Sequence, residues 1–183
     1  VYVTEHAAAL NVDPTRLAIA GDSVGGNMAA AVTLLAKERG GPDFRTQLLF
    51  YPVTDAAMDS ASYKQFADGP WLTAKAMAWY WDQYLPDLSR RGEILASPVN
   101  ASAGQLGGLP PALVIVDEND VLRDEGEAYA RNLAAAGVPV TAVRYNGTIH
   151  DFMMLNPIGE TPAARGAVAQ AVAYLRTVFA AGE

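Results

Sequence analysis

Four short apolar runs, alternating with helix-forming stretches, limit what this chain can fold into. The runs are residues 17–20 (LAIA), 47–51 (QLLFY), 112–116 (ALVIV) and 140–145 (VTAVRY). Each has the length of a buried strand. Helical patterns cover residues 1–10, 26–39, 74–85, 123–136 and 162–181. Gly40-Gly41-Pro42 stops the second, Thr73 caps the third and Pro86 ends it, and Thr161-Pro162 opens the last. Met77, Trp81 and Tyr84 or Leu85 mark one buried face, and Val168, Val172, Leu175 and Phe179 another. This alternation calls for parallel, adjacent strands near 17–21, 46–51, 112–117 and 140–146, with helices on both faces. The 183 residues form one domain, 1–183, in which 51% hydrophobic content excludes disorder.

Several chemistries are excluded by what the sequence lacks. A net charge of −7 is the wrong sign for a nucleic-acid binder. With no cysteine there is no thiolate, disulfide or cysteine-based zinc site. Two histidines, His6 and His150, are too few for a multi-histidine metal centre, so no metal or cofactor is expected. No apolar run reaches the ~18 residues of a membrane span, and no signal segment opens the sequence, which points to a cytoplasmic protein. Alanine abundance and ten arginines against three lysines point to a genome of high GC content.

The chemistry concentrates at residues 17–27, LAIAGDSVGGN. Gly21-Asp22-Ser23-Val24-Gly25 is a G-x-S-x-G segment with a strand before it and a helix after it. That context puts Ser23 on a sharp turn with its hydroxyl projecting over the sheet edge. The N–H of Val24 then lies at a helix start, where an oxyanion is favoured. Neither G-x-x-x-x-G-K-[ST] nor G-x-G-x-x-G occurs there, so a phosphate loop is disfavoured. Ser23 needs a base. His6 reads as an exposed helical residue, whereas His150 follows the fourth strand and so falls on the same edge as Ser23. The orienting carboxylate belongs after the third strand, where Asp117 and Asp120 are rivals on position alone. Asp22 is expected to anchor the turn. Trp71, Trp79, Tyr80, Trp81 and Tyr84 read either as an acyl-pocket lining or as core, and core is the expectation.

These segments resemble the hormone-sensitive-lipase-like family of α/β-hydrolases, the bacterial family IV esterases. The resemblance rests on Asp13-Pro14-Thr15-Arg16, residues 21–27 (GDSVGGN), 51–55 (YPVTD), 120–127 (DVLRDEGE) and 147–152 (GTIHDF). It implies an α/β-hydrolase fold, with a mostly parallel sheet flanked by helices, and places the acid at the first aspartate of its D-P-L-R-D-E pattern, here Asp120. It also implies Ser23 as nucleophile and His150 as base in a hydrolase of short- to medium-chain acyl esters. The alternatives are amide hydrolysis on the same three residues, by an amidase, formamidase or peptidase, or an inactive fragment without an H-G-G-G oxyanion segment. Val24 stands where alanine is usual and Val121 where proline is usual.

The family's H-G-G-G oxyanion segment, its cap and its first strands are not in the sequence. The chain therefore reads as the C-terminal half to two-thirds of such an enzyme, the portion lacking the N-terminal strands and cap. Each missing oxyanion donor costs about 10²–10³ in kcat. The expectation is a weak esterase that associates, either with a second copy or with an N-terminal segment. The resemblance offers the edge near residues 140–145 as the contact between copies.

Overall fold

The computed structural model describes residues 1–180. Its sheet has the order β1 (Ala18–Asp22), β2 (Thr46–Phe50), β3 (Ala112–Asn119) and β4 (Val140–Ile149), and every pair is parallel. All four strands therefore end on one edge, which is where turns can assemble a site. The alternation of side chains splits the core in two. Leu49, Val114 and Val116 face α3 (Val24–Arg39) and α7 (Arg123–Ala135), whereas Leu48, Leu113 and Ile115 face α8 (Pro162–Ala180).

Two expectations about helices need correction. The stretch 1–10 is two short helices, α1 (Tyr2–Glu5) and α2 (Ala7–Leu10), broken at His6. Only Ala7 of this stretch is buried, so little packing holds one continuous helix together. The buried stripe of α8 is Ala164, Ala167 and Ala171, whereas Val168 and Val172 are exposed and Leu175 and Phe179 are half-buried. Alanines bring the helix close to a sheet face already filled by Leu48, Leu113, Ile115 and Phe152. The end expected for this helix, Ala181, lies outside the described residues.

β4 also differs from a fully buried strand. Most of its residues are half-buried or exposed, because β3 alone among the described elements pairs with it. β1 is likewise only partly buried.

A third cluster lies over the C-terminal edge of the sheet. α5 (Ala74–Tyr84) packs Met77 and Trp81 against Tyr63, Phe66, Val121 and Leu122. Tyr63 belongs to α4 (Ala61–Gln65), a short helix in the connection between β2 and α5. Ser60 caps α4 through the Tyr63 N–H, and Thr73 caps α5 through the Ala76 N–H at 3.0 Å. This layer sits on the edge that carries the turn after β1.

Candidate active site

The site begins with the turn between β1 and α3. Ser23 has φ 53° and ψ −119°, a conformation costly for a residue with a side chain. It is held by its neighbours: the Ser23 N–H donates to Phe50 O at 2.9 Å, and the Ser23 carbonyl accepts from Val53 N–H at 3.2 Å. The turn is also too tight for substitution at Gly21, where a Cβ would stand 2.1 Å from Gly25 O. At Gly26 a Cβ would stand 2.7 Å from Pro52 Cβ, so the helix start packs directly on the loop after β2. Asp22 lines the cleft beside the turn, and the anchoring expected of it comes from elsewhere. Asn27, buried in the first turn of α3, donates from Nδ2 to Val53 O at 2.9 Å and to Ala96 O at 2.8 Å.

Three side chains expected from the sequence meet over the sheet edge. His150 Nε2 is 2.9 Å from Ser23 Oγ, and His150 Nδ1 is 2.8 Å from Asp120 Oδ2. Asp120 Oδ1 accepts from Leu122 N–H at 3.1 Å, which fixes the carboxylate plane. Of the rival acids, Asp120 is the one on the imidazole. Asp117 is fully buried behind it. His6 is exposed, stacks on Tyr2 and is absent from the lining of the cleft around Ser23. Val24 is the first residue of α3, so its N–H has no acceptor inside the helix.

Burial alone would lower the His150 pKa. The hydrogen bond and charge of Asp120, with the charges of Asp151 and Asp22, outweigh it and raise the imidazole above its usual 6.5. Asp151 Oδ1 is 3.4 Å from His150 Nε2, and Asp151 Oδ2 accepts from Trp71 Nε1 at 3.3 Å. Asp117, Asp120 and His150 each bring one possible metal-ligand atom within 4.8 Å of the others. Nδ1 of His150 and Oδ2 of Asp120 are already spent on each other, however, so two of the three are tied up in one hydrogen bond.

A cleft of about 970 Å³ opens onto Ser23 and His150. Its wall includes Trp71, Tyr80, Trp81 and Tyr84. Of the aromatic residues expected as core, only Trp81 is buried; Trp71, Trp79, Tyr80 and Tyr84 are all more than half exposed or at that level. Helical periodicity does not distinguish a core face from a cleft wall, because both are apolar stripes.

Two residues that support the site lie outside the sequence expectations. Tyr51, with φ 36°, sets its ring edge-on to His150 at 5.1 Å between centroids. Glu125 is buried in α7 and accepts from Thr54 N–H at 2.7 Å and Asp55 N–H at 3.2 Å, tying α7 to the loop after β2. An acidic residue in a first helical turn reads as a dipole partner, which hides this long-range bond. Glu125→Ala leaves two N–H groups without their acceptor. It is expected to lower unfolding free energy by about 2–4 kcal/mol in urea titrations. Glu125→Gln keeps the accepting oxygen and is expected to cost under about 1 kcal/mol.

A family profile of the alpha/beta hydrolase fold matches residues 1–154. The carboxylesterase NlhH of Mycobacterium tuberculosis is 37% identical over 176 residues, covering 96% of this chain and 54% of that protein. The ethyl acetate hydrolase of Pseudomonas putida is 38% identical over 160 residues, covering 87% of this chain and 50% of that protein. The crystal structure of a thermostable esterase from Pseudomonas putida ECU1011 superposes with a TM-score of 0.95 at 59% identity, covering 96% of this chain and 55% of that one. The chain spans about half the length of these relatives. The matched profile and the parallel sheet agree with the motifs read from the sequence: the chain belongs to the α/β-hydrolase fold family.

Proposed function

We propose that this chain carries the catalytic apparatus of a carboxylic-ester hydrolase. The observation that carries the reading is the unbroken line from Ser23 Oγ through His150 to Asp120, with contacts of 2.9 and 2.8 Å, at the mouth of an apolar cleft. His150 Nε2 takes the Ser23 proton as Oγ attacks the acyl carbon, and Asp120 holds Nδ1–H and stabilises the imidazolium. The Val24 N–H donates to the oxyanion. Collapse expels the alcohol, which takes its proton from His150. Water, deprotonated by His150, then attacks the acyl-enzyme, and the carboxylic acid leaves with Ser23 restored. None of these steps calls on a metal or organic cofactor.

The substrate proposed is a small ester with a short- to medium-chain acyl group. The aromatic wall of Trp71, Tyr80, Trp81 and Tyr84 suits apolar groups, and the carboxylates of Asp22 and Asp151 in the lining disfavour anionic ones. No helix among the described residues is long and apolar enough to cross a membrane. The exposed edge of β4 is the proposed contact between copies.

The test is turnover of p-nitrophenyl esters together with labelling by a fluorophosphonate probe. The expected result is hydrolysis that falls with acyl length and a label mapped to Ser23. Labelling at another serine, or none at neutral pH, would refute the reading. A pH profile adds a second check. His150 must be neutral to accept a proton, and its pKa is raised, so activity is lost as pH falls through that raised value. The acidic limb of kcat/KM is expected to have its midpoint above 6.5. A midpoint below 6.5 would separate the base from the His150–Asp120 pair.

A further inference from the structure

Asp117 is a buried ionisable group that the proposed reaction leaves unused. It is the last residue of β3 in regular register, opposite Tyr145; the pairing shifts before Asn119 meets Ile149. Neither carboxyl oxygen has a hydrogen-bond partner among the described residues. One of them lies within 4.8 Å of an Asp120 oxygen and a His150 nitrogen. Two carboxylates so close and so deeply buried do not both stay ionised. Asp120 is the committed anion, since its two oxygens accept from His150 Nδ1 and Leu122 N–H. Each oxygen of a carboxylate accepts twice, so Asp120 still has capacity for another donor.

Resting on the reaction proposed above, we propose that Asp117 is a positioning residue: a neutral carboxylic acid whose O–H hydrogen-bonds to Asp120 and tempers its pull on the His150 proton. Other ionisable groups face this cluster from five places: Asp22 at the end of β1, Tyr51 after β2, Tyr63 in α4, Glu125 in α7 and Asp151 after β4. Burial raises the Tyr51 phenol well above its usual range, so it is neutral too. Burial, then the charges of Asp120 and Asp151, push the Asp117 carboxyl up to about 10. A donor to Asp120 weakens the carboxylate as a partner for imidazolium, and so keeps His150 easier to deprotonate.

The experiment follows the His150 imidazole by proton NMR in a His6→Gln background, which leaves a single histidine. Asp117→Asn removes no charge and its amide still donates; the His150 midpoint is expected to stay within about 0.3 pH of the parent. Asp117→Ala removes the donor, and the midpoint is expected to rise by about 0.5–1 pH. An ionised Asp117 gives the reverse, because both substitutions would then remove a negative charge and lower both midpoints by about one pH or more. That result overturns the proposal, as does an alanine midpoint equal to the asparagine one.

Thermal unfolding supplies a second readout. The folded-state pKa of Asp117 is raised, so its contribution to stability is complete below its ordinary 3.8 and is lost as pH rises toward about 10. Asp117→Asn is therefore expected to raise Tm more at pH 8.5 than at pH 5. A gain that shrinks with pH would refute neutrality in the folded state. Neither readout needs turnover, so both judge Asp117 even if ester hydrolysis fails. If hydrolysis holds, the acidic limb of kcat/KM moves up in Asp117→Ala, stays in Asp117→Asn, and KM is unchanged in both.

Discussion

Ser23→Ala is expected to abolish fluorophosphonate labelling and to reduce ester turnover by about 10⁴–10⁶, with little change in stability. The size follows from the role proposed for the hydroxyl. Its Oγ is the atom 2.9 Å from His150 Nε2, and without it no acyl-enzyme can form. The small stability effect follows from what holds the turn. The Ser23 backbone is fixed through Phe50 O and Val53 N–H, and Asn27 ties the same region to Val53 and Ala96. None of these bonds uses the serine side chain. Alanine meets the same strain at φ 53°, so Tm is expected to move by less than about 3 °C. Turnover within tenfold of the parent would place the nucleophile elsewhere.

Asp120→Asn is the second large effect, about 10⁴ in kcat with the fold retained. An amide at this position presents its NH2 or its carbonyl to His150 Nδ1. The NH2 orientation forces the proton onto Nε2, the nitrogen that must accept from Ser23. The carbonyl orientation keeps the tautomer but removes the charge that stabilises imidazolium. In either orientation the loss should fall on kcat more than on KM, because the cleft wall formed by Trp71, Tyr80 and Tyr84 is untouched. The acidic limb should also shift down, since the Asp120 charge is one cause of the raised His150 pKa. Near-normal turnover in this variant would move the orienting role to another carboxylate, and Asp117 would be the first to examine.

The elements that could be read from the sequence are those whose signals are local. The strands began within about two residues of their expected places because each apolar run is short and bounded by glycine, proline or a cap. Thr73 and Thr161 announce helix starts by side-chain hydrogen bonds only three residues long. The α8 stripe was misplaced for the opposite reason. Valine and alanine both read as apolar, and the choice between Val168 and Ala167 depends on how much room the sheet face leaves. The aromatic face of α5 carries the same ambiguity, resolved only by the cleft beside it.

At the site, sequence alone determined the order of strand, turn and helix that brings Ser23 and His150 to one edge, because parallel strands all end on the same side. It left Asp117 and Asp120 level on position, and a resemblance was needed to choose between them. Only the tertiary structure decided which carboxylate meets Nδ1, because that contact closes between residues 30 apart in the chain, with Asp120 held from behind by the Leu122 N–H. Asp117, close by, is buried with no hydrogen-bond partner among the described residues. Glu125, Asn27 and Tyr51 could only be assigned in three dimensions, since each acts on a segment at least 26 residues away or on a ring brought in from another strand. Local pattern encodes which face of an element is apolar. Which polar atoms are left to meet each other is set by packing, after the chain has closed around them.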